Sequence, residues 1–321
     1  MSNLVAAFRP LWVPGVNAVT GKPAGGMPVW IANGNYQIYA PIAVNSALLS
    51  VATLDDVIAA MAADCARFTT AAIESIEGIA QQGSFPKSVA WLTIRSYYAS
   101  FYAAHAILRV LGVSCTQFDA SQTAHINDTA DAFGMAAGTR LQGGLFECNL
   151  YNSLKQVSLS RIDAKGGSHI ATWKVFLREL RRVINAVPLA GLPTADANQV
   201  VGRLADLELC LTDDGGTAGG SFLSAIRNRV NYRLELGAWF PYGERRDYYD
   251  KLFASVATWR RDPLAVPLST VKGRDLQRLA ESSVFLVSLA REMSLELVRR
   301  CPSGKSMQTY ACISMLNQLA A

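Results

Sequence analysis

Apolar positions recur with a helical period from Thr53 onward, whereas alternating apolar and polar positions are confined to the first fifty residues. The spacing predicts a long helix over residues 53–81, capped by Thr53, with Asp55 and Asp56 favourable in its first turn. Gly83, Ser84 and Pro86 break it, and a second long helix is expected over 86–111, stopping at Gly112. Further helices are predicted over 120–133, 168–187 and 194–211, with Ser168 and Thr194 at their starts. The helix over 168–187 carries Lys174, Arg178, Arg181 and Arg182 on its polar side. Residues 134–149 are mixed and read as loop, and the glycine-rich run 213–220 reads as a flexible loop. A helix over 221–233 follows, capped by Ser221; Gly237 and Pro241 then break the chain. Residues 244–261, 270–301 and the tail from Met307 are also predicted helical. No internal repeat or long heptad run is present. The fold class is therefore all-α, a multi-helix bundle occupying residues 51–321.

Residues 1–50 differ. Five prolines and five glycines fall among them, and short apolar runs at 29–31 and 36–40 flank Asn33-Gly34-Asn35. Because Asn-Gly takes positive φ readily, this predicts a β-hairpin carried on an irregular, extended N-terminal arm. Such an arm can lie on a partner subunit or across its own domain.

Composition adds bounds. Half of the 321 residues are hydrophobic and only 17% are charged, so a sizeable core can form and apolar surface is left to cover against partners. No apolar run reaches the length of about 18 residues that a membrane helix needs. The first residues show no basic region followed by an apolar core, so no signal peptide and no membrane association are expected. The six cysteines are scattered without Cys-x-x-Cys or zinc spacing, which predicts buried free thiols in a reducing, cytoplasmic setting. The net charge is +5, and residues 222–261 supply most of the excess with eight basic and four acidic side chains. A basic patch of this kind suits an acidic partner, either nucleic acid or an acidic protein face.

The chemistry concentrates in the 221–233 helix. Phe222, Ile226 and Val230 make one apolar face. At about 100° per residue, Arg227 and Asn231 fall on one line away from that face, and Asn228 and Tyr232 on the next. A solvated charged face explains such a pattern equally well. The 86–111 helix carries a stripe of Tyr97, Phe101, Ala104 and Leu108 beside a second, polar-tipped stripe of Tyr98, Tyr102 and His105. Small residues at 99, 103 and 106 permit close helix approach, and core packing accounts for one stripe.

The run from Tyr97 to Gly112, Tyr-Tyr-Ala-x-Phe-x-Ala-Ala-x-Ala-Ile-Leu closing on glycine, resembles the second helix of prokaryotic HEPN domains. Arg227-Asn228 resembles the start of that family's Arg-x(4–6)-His signature. The resemblance covers these two helices and requires inserted helices between them. It implies a small all-α bundle that dimerises, and in active members an Arg and a His from two subunits that cleave RNA without metal. Here the position five residues after Arg227 is Tyr232, and no histidine follows His169. A tyrosine, with an ordinary pKa of about 10, is a poor general base at neutral pH. The resemblance thus assigns Arg227, Asn228 and Tyr232 to the catalytic positions of a degenerate site. Arg227, Arg229, Asn231, Arg233 and His169 are the candidate phosphate- or nucleic-acid-binding residues.

Three other features bear on chemistry. His169 follows Gly166-Gly167-Ser168 at a predicted helix start, where the dipole favours a neutral imidazole and phosphate can be held, although a structural role near the cap explains it as well. His125, Asp128 and Asp131 share helical spacing, but two carboxylates and one histidine are too common a set to indicate a metal, and none is expected. Gly304-Lys305-Ser306 lacks the P-loop's first glycine, since Arg299 stands there and helix precedes it; no Gly-x-Ser-x-Gly elbow or Rossmann fingerprint occurs, and no cofactor is expected.

The expectation from sequence is a HEPN-like RNA- or protein-binding subunit of a bacterial defence or toxin–antitoxin system, with a catalytically weak site and a homodimeric or larger assembly. Its rivals are an active metal-independent ribonuclease, in which Arg227 stabilises phosphate charge while Asn228 and Tyr232 position the 2′-hydroxyl, and a purely structural assembly subunit.

Overall fold

The computed structural model describes residues 2–22, 25–80, 89–163, 167–212, 222–239, 246–271, 273–304, 309 and 312–320. It is mostly helical, with one small antiparallel sheet. Contacts divide the chain into two compact units that interleave along the sequence: a helical unit of Met1–Leu11, Phe68–Ala104 and Phe176–Glu296, and a sheet unit of Trp12–Arg67, His105–Val175 and Leu297–Ala321.

The sheet unit holds β1 (Gln37–Ile38), β2 (Ser46–Ser50), β3 (Val113–Phe118), β4 (Gly144–Tyr151) and β5 (Gln156–Arg161), in the order β1-β2-β5-β4-β3 with every pair antiparallel. Register places Leu49 opposite Val157 and Cys148 opposite Leu159. These side chains join Phe118 and Phe146 in one core with Met27, Trp30, Ile31, Val57, Met61 and Ile126. The sequence pattern foretold an N-terminal hairpin, and β1 falls in its expected 36–40 run, but it did not foretell the rest of this sheet; residues 134–149, expected as loop, contain most of β4. The N-terminal hairpin is β1 with β2, and Asn33-Gly34-Asn35 is not its turn. Residues 29–31 instead belong to helix α2 (Met27–Asn33), which has Pro28 in its first turn and ends on Gly34 at φ +69. Gly34 takes the expected positive φ, but it closes a helix. Helix α5 (Ala120–Ala132) starts where expected and is held by a capping box, Asp119 with Gln122. The Asp119 carboxyl is held below its ordinary pKa chiefly by the hydroxyl of Ser121, then by the Gln122 amide.

A buried polar hub ties this unit together. Asp64, on α3 (Asp55–Ala80), accepts at Oδ2 from the backbone N–H of Met27 at 3.3 Å and from Nε of Arg109 at 3.4 Å. Arg109, on α4 (Val89–Val110), is 1% exposed and also donates through Nη2 to the Cys115 carbonyl and to Thr116 Oγ1. Gly26 comes so close that a Cβ there would lie 1.8 Å from Asp64 Oδ1.

The helical unit begins with α1 (Asn3–Phe8), whose Leu4 to Phe8 are all buried. The extended arm expected over residues 1–50 is thus a correction: its apolar residues form helices α1 and α2 and sink into cores. Arg9 closes α1 with an ion pair of 2.7 Å to buried Glu296. The unit also contains residues 68–80 of α3, 89–104 of α4 and 176–186 of α6 (Ser168–Ala186), with α7 (Thr194–Leu211), α8 (Phe222–Arg233), α9 (Arg246–Val256) and residues 275–296 of α10 (Asp275–Arg300). Helix α11 (Cys312–Ala320) belongs to the sheet unit. These helices follow the sequence expectation to within a few residues at most ends. The Ser221 cap, the 213–220 loop, the Gly83–Pro86 break and Lys305-Ser306 lie outside the described residues.

Buried Arg278, on α10, ends α7 by donating to the carbonyls of Leu209 at 2.7 Å and Cys210 at 3.0 Å, groups left over where a helix stops. Its guanidinium also lies 3.7 Å from the Phe222 ring centroid. Glu77 accepts from Trp259 Nε1 and from Arg260, fixing the chain after α9 onto α3. All six cysteines are free, and burial pushes the thiols of Cys148 and Cys210 up to about 12 and about 11.

Candidate functional site

Helix α8 supplies the candidate residues, and its buried side is wider than the Phe222, Ile226 and Val230 stripe. Leu223 and Ser224 are also buried. Arg227 follows Leu223 by one turn and precedes Val230 by three residues, so it sits at the margin of this broad face. It is 6% exposed rather than projecting into solvent.

Aromatic rings surround its guanidinium: Cζ lies 5.0 Å from the ring centroid of Tyr97, 5.8 Å from Tyr98 and 5.7 Å from Tyr232. Such contacts favour a cation, more so when water is excluded. Tyr97 is fully buried and shares a hydrogen bond of 3.0 Å with Ser224 Oγ, which fixes its ring against α8. Nη1 of Arg227 donates to Asn228 Oδ1 at 2.8 Å and, at the long distance of 3.4 Å, to the Tyr232 hydroxyl. Buried Nε has no acceptor, and no acceptor for Nη2 and no carboxylate pairing with Arg227 is found among the described residues. The Nε–Nη2 edge is the planar fork that grips a phosphate or carboxylate with two parallel bonds. A buried cation lacking a counter-ion carries a desolvation penalty that only an added anion would offset fully.

The structure therefore brings Arg227, Asn228 and Tyr232 together. Tyr97, which the sequence placed on the packing stripe of α4, and Ser224, which it did not single out although it lies three residues before Arg227 on the same helix, complete the arrangement. The other candidates on α8 have separate settings. Arg229 is tied to Glu235 at 2.7 Å and Asp275 at 2.9 Å, and the Glu235 bond raises its pKa further. Arg233 is exposed and reaches Glu235 only at 3.9 Å. Asn231 is half-buried.

The histidines belong to the sheet unit. His169 is the second residue of α6 and half-buried. His105 is buried, and burial, then the charge of Arg109, then His169 push its pKa well below the ordinary value, so it stays neutral at pH 7. His125 and Asp128 are exposed on α5, and Asp131 forms an ion pair with Arg140 at 2.6 Å. No described helix is long and apolar enough to cross a membrane.

Comparison with protein-family models, curated proteins and solved structures gives no match.

Proposed function

We propose that this chain is a HEPN-like RNA-binding subunit of a bacterial defence or toxin–antitoxin assembly, one whose site holds phosphate but has little capacity to cleave. The observation that carries this reading is the unfilled Nε–Nη2 edge of buried Arg227. An RNA phosphate supplies both the missing acceptors and the missing charge. The position where the family's histidine would fall is Tyr232. General acid–base chemistry then lacks its usual carrier at neutral pH.

The test is anisotropy of a labelled single-stranded RNA titrated with the purified chain at about 50 and 200 mM salt, with the RNA afterwards resolved by length. Binding that weakens with salt and leaves the RNA intact is the expected result. Cleavage would shift the reading to an active ribonuclease. Absence of RNA binding together with capture of a Glu- or Asp-rich peptide would mean the fork takes a protein carboxylate.

The proposal includes pairing of two copies through the surface bearing Tyr98, Tyr102 and Asn231. All three are half-buried in the single chain, and the two tyrosine rings lie 6.1 Å apart. Two Arg227 cations drawn towards each other would repel unless an anion lies between them. Light scattering is therefore expected to give a dimer that tightens when RNA is added and loosens at high salt. A monomer at micromolar concentration that ignores RNA would remove the pairing from the proposal.

A further inference from the structure

Tyr232 stands where a proton carrier would be expected, but its surroundings suit a different task. It is 70% exposed, the largest fraction in the Arg227 cluster. Its ring lies 5.7 Å from the Arg227 guanidinium, and no other described ring packs on it. Leu234 takes φ +56 and turns the chain off the helix directly after Arg233, leaving Tyr232 on the exposed side of the last turn. The hydroxyl is only weakly engaged, at 3.4 Å from Nη1. One side of the ring therefore rests against a cation while much of the rest is offered to solvent.

We infer that Tyr232 is a stacking platform for an unpaired base of the bound RNA, placed beside the phosphate fork of Arg227. This rests on the RNA-binding reading above and deepens it: the ligand is single-stranded at this point, because in a duplex the base faces are already stacked on one another. An aromatic ring stacks on any base, so the site tolerates sequence. The preference for single strands arises from the exposed ring, and the salt dependence arises from the arginine.

The experiment compares wild type, Tyr232→Ala, Tyr232→Phe and Arg227→Met for binding to oligoadenylate, oligouridylate and a duplex RNA of equal length. Tyr232→Ala is expected to weaken single-strand binding about 5- to 150-fold, the range for losing one base–aromatic stack. It should leave duplex binding and the salt slope unchanged, because stacking releases no counterions. Tyr232→Phe should restore most of the single-strand affinity, since it keeps the ring. If Tyr232→Phe is as weak as Tyr232→Ala, the hydroxyl is the contact and stacking is overturned. Stacking is also overturned if Tyr232→Ala binds single strands like wild type while Arg227→Met does not; the RNA-binding reading then survives alone. If wild type binds none of the three RNAs, that reading fails first and the stacking role with it.

Discussion

Arg227→Met should lose RNA binding while keeping, or slightly raising, the stability of the free protein. The two halves of this expectation come from the same geometry. Arg227 is almost entirely buried, has no carboxylate partner among the described residues, and leaves Nε without an acceptor. Replacing a whole buried ion pair by apolar side chains is often neutral or stabilising by about 1–4 kcal/mol, and at Arg227 no partner charge is left behind by the exchange. Methionine keeps the filling between the Tyr97, Tyr98 and Tyr232 rings and can make sulfur–aromatic contacts. Binding loses a charge-assisted contact worth about 1.5–3 kcal/mol, roughly 10- to 150-fold. Arg227→Ala should instead lower stability by about 2 kcal/mol, because it removes both the cation–π contacts and the side-chain volume. Urea denaturation of the two variants, followed by RNA titration, separates these effects. Methionine and alanine variants that are equally destabilised would mark Arg227 as a structural arginine and remove its fork from the functional reading.

In the sheet unit the largest expected effect is from Asp64→Ala. The carboxylate forms an ion pair with fully buried Arg109 and also accepts the first backbone N–H of α2. Its loss breaks a buried ion pair in a low-dielectric interior, a change that typically costs about 3–5 kcal/mol. The double variant Asp64→Ala with Arg109→Met should recover a substantial part of that loss, since it removes both charges of the pair. Equilibrium unfolding of the single and double variants measures the coupling. A single variant within about 1 kcal/mol of wild type would show that water or a relaxed side chain replaces the carboxylate at little cost.

The helices from α3 onward were legible because their signals are local, whereas α1 and α2 are short and lie among the prolines and glycines of the first fifty residues. Residues 194–211 carry a regular apolar period between clear breaks, and α7 occupies that span. Beyond the N-terminal hairpin the sheet was not legible, for reasons visible in its strands. β5 offers only Val157 and Leu159 as inward apolar residues, alternating with serines. β3 buries Ser114 and Thr116 along with Val113 and Cys115, so no alternation marks it as a strand. Its 4–5 hairpin turns through Lys155 at φ +51, without the Asn-Gly signal that announces such turns. What fixes these strands is their pairing partners, and those are distant in the chain. At the candidate site, helical spacing alone grouped Arg227 with Asn228 and Tyr232, and Nη1 does reach both. Spacing could not show that Leu223 widens the buried face and draws Arg227 inward. Nor could it place Tyr97 beneath the guanidinium, because that ring arrives from α4.

The close approach of Gly26 to Asp64 bears on how this sequence can drift over generations. Any side chain at position 26 collides with a carboxylate oxygen, so accepting one requires a shorter residue at position 64. That shorter residue in turn takes a buried carboxylate from Arg109, while changing Arg109 first takes the cation from buried Asp64. Each single step therefore breaks the pair, and the three positions constrain one another. In distant descendants of this chain, Gly26, Asp64 and Arg109 should therefore be kept together or lost together.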